Sequence, residues 1–238
     1  ETERAVKART AWLGGLLCVG CAMLPTTLEP AQVRYFVRAD WEGASLEDGA
    51  RIFETDLGYT VAISSFQLRT TSIELVPCEP LASLDLGPTR ALAHGSSYEH
   101  DISAVEPGVM DDLMLEEAQA LGYSIATRSA YCELFSVHGT GRDEVVVSLV
   151  GWYLAPGSDE RVPFVAEHSL GVTDVAPLSL GAFDDALLPD EAEVVITRFP
   201  ARAFDGLPLD ELPEVDLAHE VGLALLRTRD IRWAIGPS

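Results

Sequence analysis

From Gln32 onward, apolar and polar residues alternate in short runs, the period of a strand with one face buried and one face wet. Gln32 to Arg38, Tyr59 to Leu68, Ser72 to Val76, Tyr123 to Val137, Glu144 to Leu154, Pro163 to Val172 and Ala192 to Phe199 all read this way. The strongest run carries Val145, Val146, Val147, Leu149 and Val150. Between the runs stand Gly139-Thr140-Gly141 and Pro156-Gly157-Ser158-Asp159, residues that supply turn conformations. Strands joined by loops, without strand–helix alternation, predict a mostly β fold, an antiparallel β-sandwich. Two stretches depart from the pattern. Met110 to Leu121 has helical spacing and ends at Gly122 as at a C-cap, and Leu207 to Thr228 places Leu217, Val221, Leu225 and Leu226 on one helical face. These one or two short helices are expected to close an end of the sandwich.

Ahead of the strands lies a different composition. A basic patch (Arg4, Lys7, Arg9) is followed by an apolar stretch from Ala11 to Leu24, which is the order of a signal peptide. That stretch falls short of the roughly 20 apolar residues needed to cross a bilayer. Leu17-Cys18-Val19-Gly20-Cys21 resembles the lipobox of bacterial lipoproteins, with Cys18 where Leu is usual. The resemblance implies lipidation of Cys21, and hence a membrane partner through an N-terminal lipid anchor. Gly20 and Ala22 also form a small-x-small site at which ordinary signal peptidase would release a soluble protein. The expected organisation is a signal peptide over 1–21, a proline-bracketed tether over 22–30 and one β-sandwich domain over 31–238. The localisation that follows is the cell envelope, on the periplasmic side or the cell surface.

Charge narrows the partners. With 38 acidic against 16 basic residues the formal net charge is -22, a field that repels phosphate backbones, so nucleic acid is not an expected partner. Lys7 is the only lysine, which leaves a processed domain without lysine for Schiff-base or phosphate chemistry. No nucleophile elbow, P-loop, dinucleotide-binding glycine pattern, paired-histidine zincin motif or EF-hand loop stands in register, and the chain is not expected to be an enzyme. Beyond the leader only Cys78 and Cys132 remain. In a protein bound for an oxidising compartment they read as a disulfide, against the alternative of two free buried thiols.

The candidate chemistry is a loop, Ala93-His94-Gly95-Ser96-Ser97-Tyr98-Glu99-His100-Asp101, followed by Glu106. Imidazole and carboxylate together suit zinc or copper, and a bent loop brings His94 and His100 to one ion with Glu99, Asp101 or Glu106. His138 or His168 is the candidate third histidine, while His219, beside Glu220, reads as structural. The alternative is a solvated polar loop.

The stretch Gly58 to Leu68, Ile73-Glu74-Leu75-Val76-Pro77-Cys78, the histidine-bearing loop and Tyr131-Cys132 resemble periplasmic β-sandwich lipoproteins of the methanobactin-associated copper-binding type. Arg198-Phe199-Pro200 and Phe204-Asp205-Gly206 fit the same likeness, which covers about two thirds of the chain as pattern. It implies copper held through histidines and sometimes an oxidised tryptophan; Trp41, Trp152 and Trp233 stand here without a match to that role. The expected function is an exported envelope lipoprotein binding or delivering copper or zinc. The competing function is a non-catalytic envelope or adhesion module that binds protein or glycan through an exposed aromatic patch. The sequence identifies no protein partner.

Overall fold

The computed structural model describes residues 30–78, 106, 108–126, 131–139, 144–169, 171–178 and 191–235. Among them lie thirteen strands and one α-helix. The strands are β1 Ala31–Ala39, β2 Ser45–Glu47, β3 Ala50–Glu54, β4 Thr60–Thr70, β5 Ser72–Pro77, β6 Val109–Asp112 and β7 Gln119–Ala126. There follow β8 Tyr131–His138, β9 Val147–Leu154, β10 Arg161–His168, β11 Val172–Pro177, β12 Glu191–Arg198 and β13 Asp230–Ile235, with α1 at Glu214–Arg227 before β13. The fold is mostly β, as the alternation predicts.

Hydrogen bonding divides the strands into three groups, ordered β13-β12-β1-β7, β10-β9-β4-β3-β2 with β6 also on β4, and β11-β8-β5. The last two are separate sheets that adjoin as two halves at a bend. β4 runs into β5 across the single residue Thr71, and β8 and β9 share those strands as partners, pairing Ser72 with Val137 on one side of the break and Leu68 with Val147 on the other. Bonds flank the bend on either side: Thr71 N–H to Val137 O at 2.8 Å toward β8, and Arg69 N–H to Val146 O at 2.8 Å and Val146 N–H to His168 O at 2.7 Å toward β9 and β10. Gly139 sits on this crease at φ +78°, a conformation that glycine adopts without the strain other residues meet.

Each half buries its apolar face against something different. β5, β8 and β11 face the four-stranded sheet through Ile73, Leu75, Leu134 and Ala176 against Val33, Tyr35, Val194 and Ile196, so a two-layer sandwich forms there. β4, β9 and β10 instead pack Val61, Phe66, Leu149 and Phe164 beneath α1 and the 3-10 turn Ala201–Phe204. The helix begins after Pro213, carries Glu214 and Asp216 in its first turn and Arg227 in its last, and so complements its own dipole. Its inner face is Leu217, Ala218, Val221, Gly222, Leu225 and Leu226, as the spacing predicts.

Three expectations are corrected. Met110 to Leu121 is not helical: β6 and the start of β7 occupy it, joined by a turn. Gln119 explains why, since its side chain accepts from Asp112 N–H at 3.1 Å and donates to Asp112 O at 2.7 Å, taking the place of a strand partner. Gly122 lies where the register of β1 and β7 shifts, not at a helix end. Second, the sheets are not wholly antiparallel, because β1 and β12 pair in parallel from Gln32↔Glu191 to Ala39↔Arg198. Third, the long runs Tyr123 to Val137 and Pro163 to Val172 are each two strands, and the hairpin β2–β3 and strand β13 are additional elements.

Candidate functional site

The crease between the two apolar clusters is lined with polar side chains. Thr70, Asp111, Ser136, His138 and Arg198 are all buried there, and Arg198 is among the largest fully buried side chains of the protein. Thr70 donates its hydroxyl to Asp111 Oδ2 at 2.6 Å. Arg198 Nε and Nη1 and Asp111 Oδ1 have no hydrogen-bond partner among the described residues. Burial pushes the Asp111 carboxyl up to about 6, against the opposing pull of the Arg198 charge and the Thr70 hydroxyl, and burial lowers Arg198 to about 10. Beside them Arg229 forms an ion pair with Asp174.

His138 closes β8 inside this layer. Its Nδ1 lies 3.0 Å from the Arg69 carbonyl, which can only accept, so Nδ1 carries the proton. The Ser136 hydroxyl then donates to Nε2 at 3.2 Å. Burial first, and the Arg198 charge second, hold this imidazole down to about 3, so it is neutral at pH 7. Both ring nitrogens are engaged within the protein, which is the arrangement of a structural histidine.

His138 and Asp111 act on stability with opposite signs. His138 binds its proton less readily in the fold than at its ordinary 6.5, so its contribution is full above 6.5 and lost as the pH falls toward about 3. Asp111 binds its proton more readily in the fold than at its ordinary 3.8, so its contribution is full below 3.8 and lost as the pH rises through about 6. Between about 6 and 4 the two slopes offset each other. Asp111→Asn should remove that compensation. The unfolding free energy from urea titrations between pH 7 and pH 4 is expected to fall in the variant, relative to wild type, by about 1.4 kcal/mol per pH unit below pH 6. Parallel profiles for the two proteins would rule out this opposition.

His168 is placed differently. It ends β10 half-buried, and its Nε2 lies 3.1 Å from Nδ1 of His219 on α1, with ring centroids 4.5 Å apart and planes inclined at 50°. Burial and then the His219 charge lower the His168 pKa. The pair borders a cavity of about 10 Å³ whose other walls include Leu68, His138, Val147, Val172 and Leu226. The histidine that reads as structural in sequence is therefore the one that meets His168. They stand 51 positions apart, on a strand and a helix, and no local spacing marks them as neighbours.

Cys78 and Cys132 meet as expected, with Cα atoms 4.9 Å apart, Cys78 just past β5 and Cys132 in β8 beside it. His94, Glu99, His100, Asp101 and Cys21 lie outside the described residues, and Glu106 is exposed ahead of β6. Trp41 is buried, its indole N–H donating to Leu113 O at 2.7 Å, whereas Trp152 lies under the Arg161 guanidinium at 4.4 Å. Among the described residues no group of three or more His, Cys, Asp or Glu is placed to hold a metal ion, and no helix is long and apolar enough to cross a membrane. Comparison with protein-family models, curated proteins and solved structures finds no match to the chain.

Proposed function

We propose that the chain is an exported envelope lipoprotein, anchored through Cys21, whose β domain binds or delivers copper or zinc and catalyses no reaction. The observation that supports it is the Cys78–Cys132 bridge, a cross-link that persists in oxidising compartments outside the cytoplasm and is rare inside it. The metal part of the reading draws on the loop that carries His94, Glu99, His100 and Asp101, a donor set that suits either ion. His138 does not fit as a further ligand, since its two nitrogens already serve Arg69 and Ser136.

Intact mass spectrometry of the membrane fraction tests the anchor: an acylated N-terminus at Cys21 is expected, and an unmodified chain beginning at Met23 would sink it. Elemental analysis of untagged protein tests the cargo, with copper or zinc near one equivalent expected.

One observation favours a second reading, an envelope or adhesion module that binds protein or glycan. The outward side of β9 and β10 pairs Trp152 with Pro163 and Val150 with the 61 % exposed Val165, an aromatic and aliphatic face rimmed by Arg161. Protein that purifies free of metal and takes none up would favour that module.

A further inference from the structure

We infer that His168 and His219 form a two-imidazole clip for one divalent transition-metal ion, a site distinct from the histidine loop. The inference rests on the metal part of the function proposed above and on nothing in its anchor. The carrying observation is the apposition of two ring nitrogens, His168 Nε2 and His219 Nδ1, at 3.1 Å. A tetrahedral zinc ion with Zn–N bonds of 2.0–2.1 Å holds two ligand nitrogens about 3.3 Å apart, so the nitrogens need to part by only a few tenths of an ångström while the rings, with centroids 4.5 Å apart, turn to aim both lone pairs at the ion.

The setting favours capture of an ion. Both histidines stand on regular elements, one at the end of β10 and one within α1, which hold a ligand pair more firmly than a loop does. The His168 carbonyl is itself fixed by Val146 N–H at 2.7 Å. Each ring is half-buried and reachable, and the adjoining cavity is walled mainly by Leu68, Val147, Val172 and Leu226, so one side of the ion is shielded from water. No third protein donor is placed there among the described residues. The remaining positions belong to water or to a donor brought by another molecule. Such an open site exchanges its metal, whereas a closed set of four protein ligands retains it.

Zinc is the probe, titrated into the full chain against a chromophoric competitor. Wild type, His168→Gln, His219→Gln and a His94→Ala/His100→Ala double variant are compared. One equivalent is expected to bind at the clip beside any that the loop takes, each glutamine variant is expected to weaken that equivalent at least tenfold, and zinc is expected to raise the Tm of wild type more than that of either glutamine variant. Retained affinity in the loop variant assigns that ion to the clip, and loss in both sets overturns a site distinct from the loop. Loss in the loop variant alone overturns the clip while leaving the loop reading intact, and absence of zinc binding in wild type overturns both. If either glutamine variant fails to fold, histidine ring NMR of wild type decides: His168 and His219 signals shift with the first equivalent, and unmoved signals reject the clip.

Discussion

Arg198→Met is expected to destabilise the protein by about 3–5 kcal/mol at pH 7, measured as a lowered urea midpoint. Arg198 ends β12 at 1 % exposure, and its charge is the main influence that keeps the buried Asp111 carboxyl from rising further. Without it, a carboxylate with one unpartnered oxygen stays inside the crease and must either remain charged in an apolar site or take up a proton. The loss comes from the stranded partner more than from a missing attraction, because Arg198 Nε and Nη1 are themselves without hydrogen bonds among the described residues. Adding Asp111→Leu to Arg198→Met is therefore expected to recover at least half of the stability, since well-packed apolar replacements of a buried ion pair are often neutral or better. A double variant no more stable than the single one would show that the two charges do not act as a pair.

Cys78→Ser with Cys132→Ser is expected to cost about 4 kcal/mol, the loop-closure entropy returned to the unfolded chain by a bridge of this span. The bridge spans 54 positions, so it constrains the unfolded ensemble far more than a local loop would. In the fold it ties the outer end of β5 to β8, where the register between them shifts at Pro77 and Tyr131. The loss should appear as an earlier unfolding transition with little change in far-ultraviolet dichroism. Reducing agent on the native protein is expected to reproduce it. Equal midpoints for oxidised and reduced wild type would refute it.

Strands with one wet and one buried face were readable because each residue reports its own side. β4, β5, β9 and β12 follow from Val61, Ile63, Leu75, Leu149 and Val194 with little help from context. Met110 to Leu121 misled because Leu113 and Leu121 are buried by different partners, and Gln119 holds the turn between them by a contact that periodicity does not register. Asp48-Gly49, both at positive φ, is the two-residue hairpin turn that joins β2 to β3, and the Asp-Gly pair is the signal that would have located it. For the site, the cysteine pair was legible because Cys78 and Cys132 are the only cysteines beyond the apolar stretch that ends at Leu24. The His168–His219 contact was not, since packing of a helix on a strand depends on the whole intervening chain.

The parallel pairing of β1 with β12 also bears on how the chain reaches its fold. A chain made from its N-terminus produces Val33, Tyr35 and Val37 early, yet their ladder partner begins only at Glu191. Until then β1 can pair with β7 alone, leaving the other edge open with its backbone groups free to bond to another chain. Contacts of such sequence separation slow folding, because the loop must close before they form. β1, synthesised well before β12, is thus enclosed late, and a chain truncated before β12 would present that open edge for aggregation.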